Sequence, residues 1–100
     1  MTAYLIANIK IFDQKTYDDF NSRVNATIEK FGGRFLARAG KHESLEGTWQ
    51  PTRLVLIEFP GMAALKGWYG SSDYAPLLEL RQTAAYCDVL ALEGLSKTQA

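Results

Sequence analysis

Four polar side chains interrupt stretches that otherwise read as apolar strands. Asn8 falls in the first, Arg38 in the second and Glu58 in the third, and Asp88 begins the fourth. An arginine drawn into an apolar layer demands a carboxylate, and Glu58 is the expected partner of Arg38. Two roles fit such a pair. In one it is a structural ion pair or a pair at a wet rim. In the other, the planar donor fork of Arg38 anchors a small carbonyl, carboxylate or phenolic ligand, and a desolvated Glu58 serves as general base. Strand parity puts Asn8 and Glu58 on one face. If Arg38 joins them, the three line the helix-free side of the sheet, although a bulge reverses the parity of its strand.

His42 is the only histidine and titrates near neutral pH without special tuning. Among Lys41, Glu43 and Glu46 it reads as a surface residue, with proton transfer at a cavity mouth as its functional alternative. Trp68, Tyr69 and Tyr74 flank the Gly70-Ser71-Ser72 break, either as helix-face core or as a lid over an apolar ligand. Arg81 follows Tyr74 by about two helical turns and is expected to pair with Asp88 or Glu93, or to bind an anion. Arg53 opens a strand and is expected to be exposed or at a rim. The catalytic candidates are therefore Arg38, Glu58 and His42. Asn8, Arg38, Glu58, Trp68, Tyr69, Tyr74 and Arg81 are the ligand-binding candidates.

Other chemistries find no support in the residue inventory. One cysteine and one histidine, far apart in sequence, do not make a zinc site, and no phosphate loop, dinucleotide fingerprint or nucleophile elbow is present. No metal and no cofactor are expected. Eleven basic residues balance eleven acidic ones, against the basic surplus a nucleic-acid binder carries. No apolar run approaches the ~20 residues of a membrane span. The lone Cys87 cannot form an intrachain disulfide and reads as a small core residue. With no signal-peptide pattern at "MTAY", the expected location is the cytoplasm.

These candidates need elements to position them. "AYLIANIKIF" (3–12) reads as a strand, Asp13 as a helix N-cap, and Tyr17, Phe20, Val24, Ile28 and Phe31 as one helical face ended by Gly32-Gly33. "RFLARAG" (34–40) is a second strand, and "KHESLEG" (41–47) is the hairpin turn or an irregular extension. "TRLVLIEF" (52–59) is a third strand, stopped by Pro60-Gly61. Met62, Leu65 and Trp68 mark a short helix. A second helix, capped by Ser71 or Ser72, runs through "DYAPLLELRQ" (73–82), and "CDVLALEG" (87–94) is the last strand. The order β-α-β-β-α-β, its second helix broken, predicts a ferredoxin-like α+β fold. Its four-stranded, mainly antiparallel sheet carries helices on one face. Residues 1–95 make one domain and 96–100 a flexible tail.

The strands are apolar on both faces: Leu54 and Leu56 oppose Val55, Ile57 and Phe59, Tyr4 and Ile6 oppose Leu5, Ala7 and Ile9, and Leu90 and Leu92 oppose Val89 and Ala91. Helices cover one side only. About six aliphatic side chains left in water would each forfeit ~1.5–3 kcal/mol. The sum, of order 10 kcal/mol, rivals the stability of a typical domain. A two-fold homodimer packed sheet to sheet is the simplest cover.

"GGRFLARAG" (32–40), "LEG" (45–47), Arg53 with "LIEFP" (56–60), "WYGSSDY" (68–74), Arg81 and "LEG" (92–94) together resemble the DUF1330 family of the dimeric α+β barrel superfamily. The resemblance spans nearly all of residues 3–95 and implies the fold and the dimer rather than a reaction. The family usually has Arg-Gly-Gly where this chain has Arg38-Ala39-Gly40. Two functions are carried forward. One is a dimer with an inter-sheet pocket for a small organic acid or aromatic compound, with cofactor-free acid/base chemistry. The other is a non-catalytic binding or scaffold dimer with a packed interior.

Overall fold

The computed structural model describes residues 1–95, so the tail expected over 96–100 lies outside the described residues. The chain runs β1 (Ala3–Ile11), α1 (Gln14–Lys30), β2 (Arg34–Arg38), β3 (Leu54–Phe59), α2 (Met62–Tyr69), α3 (Ala75–Gln82) and β4 (Ala85–Glu93). The strands form one antiparallel sheet in the order β2-β3-β1-β4, the arrangement of a ferredoxin-like α+β fold.

Local chemistry sets the ends of α1. The Asp13 carboxylate accepts from the Thr16 amide at 3.2 Å and from the Thr16 hydroxyl at 2.7 Å, an N-cap whose bonds hold the Asp13 pKa below its usual value. Gly32 ends the helix at φ +80°. Gly33 then lets β2 close on the core: a Cβ there would stand 2.7 Å from Ile28 Cγ2 and 2.7 Å from Phe59 Cε1. The second helix is broken as expected. The Ser71 hydroxyl accepts from the Tyr74 amide across the break, and Pro76 falls in the first turn of α3, where no helical N–H partner is lost. β4 begins two residues earlier than the sequence pattern indicates, because Ala85 already pairs with Ile11.

The helices cover one face. Leu5, Ala7 and Ile9 of β1 and Val55, Ile57 and Phe59 of β3 are buried there against Phe20, Val24 and Ile28 of α1 and Leu65 and Trp68 of α2. On the other face, Tyr4, Ile6, Leu54 and Leu56 are half-buried, while Leu90 and Leu92 are 56% and 52% exposed.

β2 departs from simple alternation. Arg34 lies opposite Glu58 and Phe35 opposite Ile57, but Ala37 lies opposite Leu56 and Arg38 opposite Val55. Leu36 is the extra residue of a bulge, and everything after it changes face. "KHESLEG" is not a tight hairpin turn. It belongs to an irregular exposed segment, 39–53, that joins β2 to β3 and enters at Ala39 with φ +59°.

Candidate functional site

The bulge decides where Arg38 works. It carries the side chain to the helix-covered face, so the expected Arg38–Glu58 pairing on the helix-free face does not form. Arg38 Nη2 donates to the Asn21 backbone carbonyl at 2.6 Å and to Asn21 Oδ1 at 2.8 Å, and its guanidinium lies 4.2 Å from the Phe35 ring centroid. Glu58 is instead paired with Arg34 at 2.9 Å, near the surface. Asn8 is structural. Its Oδ1 accepts from the Thr52 and Arg53 amides at 2.8 and 3.2 Å, fastening the irregular segment to β1. His42 is exposed, with Nε2 2.9 Å from the Pro51 carbonyl. Asn8, Arg38, Glu58 and His42 are therefore not brought together.

A different set converges. Between the sheet and the helices lies a cavity of about 40 Å³, walled by Leu5, Val24, Ile57, Trp68 and Tyr74, with Arg38 and Arg81 also in its lining. That is room for roughly three waters. Trp68 and Tyr74 are wall rather than lid: both are buried, their ring centroids 4.1 Å apart, and the Trp68 indole N–H donates to the Thr27 hydroxyl at 3.0 Å. Tyr69 is half-exposed outside them, its centroid 5.7 Å from that of Tyr74.

Arg81 is the unusual member. It projects from the last turn of α3, is only 8% exposed, and forms no salt bridge among the described residues. Neither Asp88 nor Glu93 reaches it. Both are exposed on β4, and Asp88 pairs in register with Asn8 on the open face. Arg81 Nη1 donates to the Tyr74 hydroxyl at 3.1 Å, and Nε is buried with no hydrogen-bond partner among the described residues. Burial pushes the Tyr74 hydroxyl up to about 12, outweighing the opposing pull of Arg81, so it remains a proton donor through the physiological range.

Two further residues belong to this neighbourhood and escape the sequence reading. Tyr17 lines the cavity, and its pKa is raised by burial against the lowering effect of Arg53. Arg53 is not a fully exposed rim residue. Half-buried, its guanidinium lies 5.3 Å from the Tyr17 ring centroid and its Nε also lacks a partner. The available signal for Tyr17 was its type: a tyrosine on an apolar helix face brings a hydroxyl that needs company. Cys87 is half-buried on β4, where burial raises its thiol pKa. Among the described residues no three His, Cys, Asp or Glu side chains stand together as a metal site. No helix among them is long and apolar enough to cross a membrane.

With this geometry in hand, the similarities to known proteins fall into place. A family model described as a domain of unknown function, DUF1330, matches residues 2–95. The chain belongs to the DUF1330 family. No curated protein matches it. Among solved structures, this DUF1330 chain is similar to a protein of unknown function from Rhodopseudomonas palustris (TM-score 0.77, 15% identity, covering 95% of this chain and 83% of that one). It is also similar to SnoaB, a cofactor-independent oxygenase from Streptomyces nogalater (TM-score 0.67, 9% identity, 96% and 95%). A third is a dimeric, ferredoxin-like protein of unknown function from Bacteroides fragilis (TM-score 0.54, 15% identity, 93% and 96%). At these identities the likeness concerns the fold.

Proposed function

We propose that this DUF1330 protein is a homodimer in which each subunit binds a small organic acid or aromatic compound in the cavity between sheet and helices. The observation that carries the reading is Arg81, a buried guanidinium with no carboxylate partner among the described residues, at the wall of an apolar cavity. Such a charge costs several kcal/mol unless an anion or a polar ligand accompanies it. Tyr74 and Tyr17 add hydroxyl groups at the same cavity. Arg38, held by Asn21, stands at its rim. Cofactor-free chemistry on this fold has a precedent in the oxygenase SnoaB, and polarisation of a bound carbonyl or phenol by Arg81 and Tyr74 is the step these residues are equipped for.

The dimer is supported by the open face. Leu90 and Leu92 are more than half exposed, and Trp49 overhangs a groove of about 440 Å³ shared with Ile6, Leu54 and Leu90. The ferredoxin-like B. fragilis neighbour is itself dimeric. The pocket is placed on the helix side of the sheet rather than between the two sheets, because that is where unpartnered polar groups meet an apolar cavity.

The alternative, a non-catalytic dimer with a packed interior, is favoured by one observation: the cavity holds only about 40 Å³. Ligand titration followed by Trp68 emission, in a Trp49→Phe background, separates the two. Saturable quenching by small aromatic acids or phenols, weakened in Arg81→Met, is the expected result. A silent titration up to millimolar concentrations would favour the packed module. Sedimentation showing a monomer at micromolar concentration would overturn the dimer.

A further inference from the structure

The position of Arg81 also defines the class of ligand, an inference that rests on the pocket reading above. We propose that the cavity selects a monocarboxylate, held with its carboxylate on Arg81 and Tyr74 and its apolar body against Trp68 and the aliphatic wall. The guanidinium spends Nη1 on the Tyr74 hydroxyl at 3.1 Å and leaves its buried Nε unpaired. With Nη1 engaged, the edge formed by Nε and Nη2 is the one left to take a carboxylate through two parallel N–H bonds. Tyr74 accepts from Arg81, so its own O–H proton remains available to a ligand oxygen. No Asp or Glu lines the cavity among the described residues, whereas Arg38 and Arg81 both do. The site is therefore cationic inside a chain whose charges balance overall, and a bound monoanion neutralises the buried member of the pair.

The remaining surface fixes the rest of the ligand. Leu5, Ala7, Val24 and Ile57 offer no polar partner, so the part of the ligand against them must be apolar, and only Tyr17, Asn21 and Arg38 remain as further polar lining. Trp68 and Tyr74 form a tilted aromatic pair, their centroids 4.1 Å apart, suited to contact with a flat or branched apolar group. Room for roughly three waters is too little for a whole aromatic acid and short even for a small branched acid, so the walls must yield for either and further for the larger. Arg38, exposed and held by Asn21, is the lining side chain freest to move, so its release from Asn21 is the expected way for the cavity to admit a body as large as a benzene ring.

Calorimetric titration of the intact protein with isobutyrate and benzoate, each against its neutral amide, tests the class directly. Each acid is expected to bind at least about tenfold more tightly than its amide, the difference expected of a charge-assisted bond. Arg81→Met should erase that difference, and Arg81→Lys, which keeps the charge without the fork, should recover only part of it. Arg38→Ala should improve benzoate relative to isobutyrate. If acid and amide bind equally well in the wild-type protein, the carboxylate inference is wrong while the pocket stands. If none of the four binds at millimolar concentration, the pocket reading itself falls and takes the inference with it.

Discussion

The two faces of the sheet fail in opposite ways as simple packing surfaces. The helix-covered face is closed and apolar, yet buries a guanidinium that forms no salt bridge among the described residues. The open face is where charged groups are expected, yet Leu90, Leu92 and Tyr86 lie exposed there. Burial of a lone cation and exposure of a leucine row both cost stability in an isolated subunit. Under the proposed function each is relieved by something outside the subunit, a small anion in the first case and a second copy in the second. The contrast shows that function here is read from mismatches between a residue and its surroundings rather than from a motif.

The open face offers the largest expected effect. Leu90→Asp combined with Leu92→Asp places two unpaired charges in the expected interface and should weaken the dimer by at least about 100-fold, read by sedimentation at several concentrations. An unchanged dimer would mean that the subunits meet elsewhere. On the covered face, Trp68→Ala removes a 2%-exposed ring stacked on Tyr74 and should cost about 3–5 kcal/mol in urea unfolding. Gly33→Ala forces a methyl group against Ile28 and Phe59 and should cost about 1–3 kcal/mol.

The tyrosines give a pH test of the same contrast. Tyr74 has its folded pKa raised to about 12 from 10.0, so its contribution to stability is complete below pH 10 and is lost as pH rises toward 12. Tyr17 is shifted in the same direction. Absorbance titration should show a tyrosine ionising late, and Tyr74→Phe should remove that late transition. A titration unchanged by Tyr74→Phe would contradict the burial of this hydroxyl. The smallest effect is expected at Ala39. Its φ of +59° strains a residue with a Cβ, and Ala39→Gly should stabilise by about 1 kcal/mol.

Much of the architecture was legible before any coordinates. Asp13, Gly32 and the Gly70-Ser71 break announce helix ends through capping and left-handed geometry, and the two-faced strands reveal an uncovered side. The site was less legible, for a physical reason concentrated in one residue. Leu36 bulges out of β2, and that single insertion moves Arg38 from Glu58 to Asn21. A bulge depends on cross-strand pairing, which strand composition does not encode. Arg81 was visible as an anion-binding candidate, but its lack of a carboxylate was not, because register and tertiary distance decide whether Asp88 or Glu93 can reach it. Ala39 held the converse clue. Where the resemblance implies glycine, the backbone takes a left-handed turn at φ +59°, which by itself accounts for a preference for glycine there.

The central claim is that Arg81 and Tyr74 serve a ligand and not the fold, and it can be tested without knowing the ligand. Urea unfolding of the Arg81→Met, Tyr74→Phe double variant removes the buried charge and its hydroxyl partner together while keeping the apolar volume. The account predicts stability unchanged or raised, as when a buried charge gives way to a packed side chain. A loss of more than about 2 kcal/mol would show that the pair holds the fold together and would contradict the assignment of this cavity to a ligand.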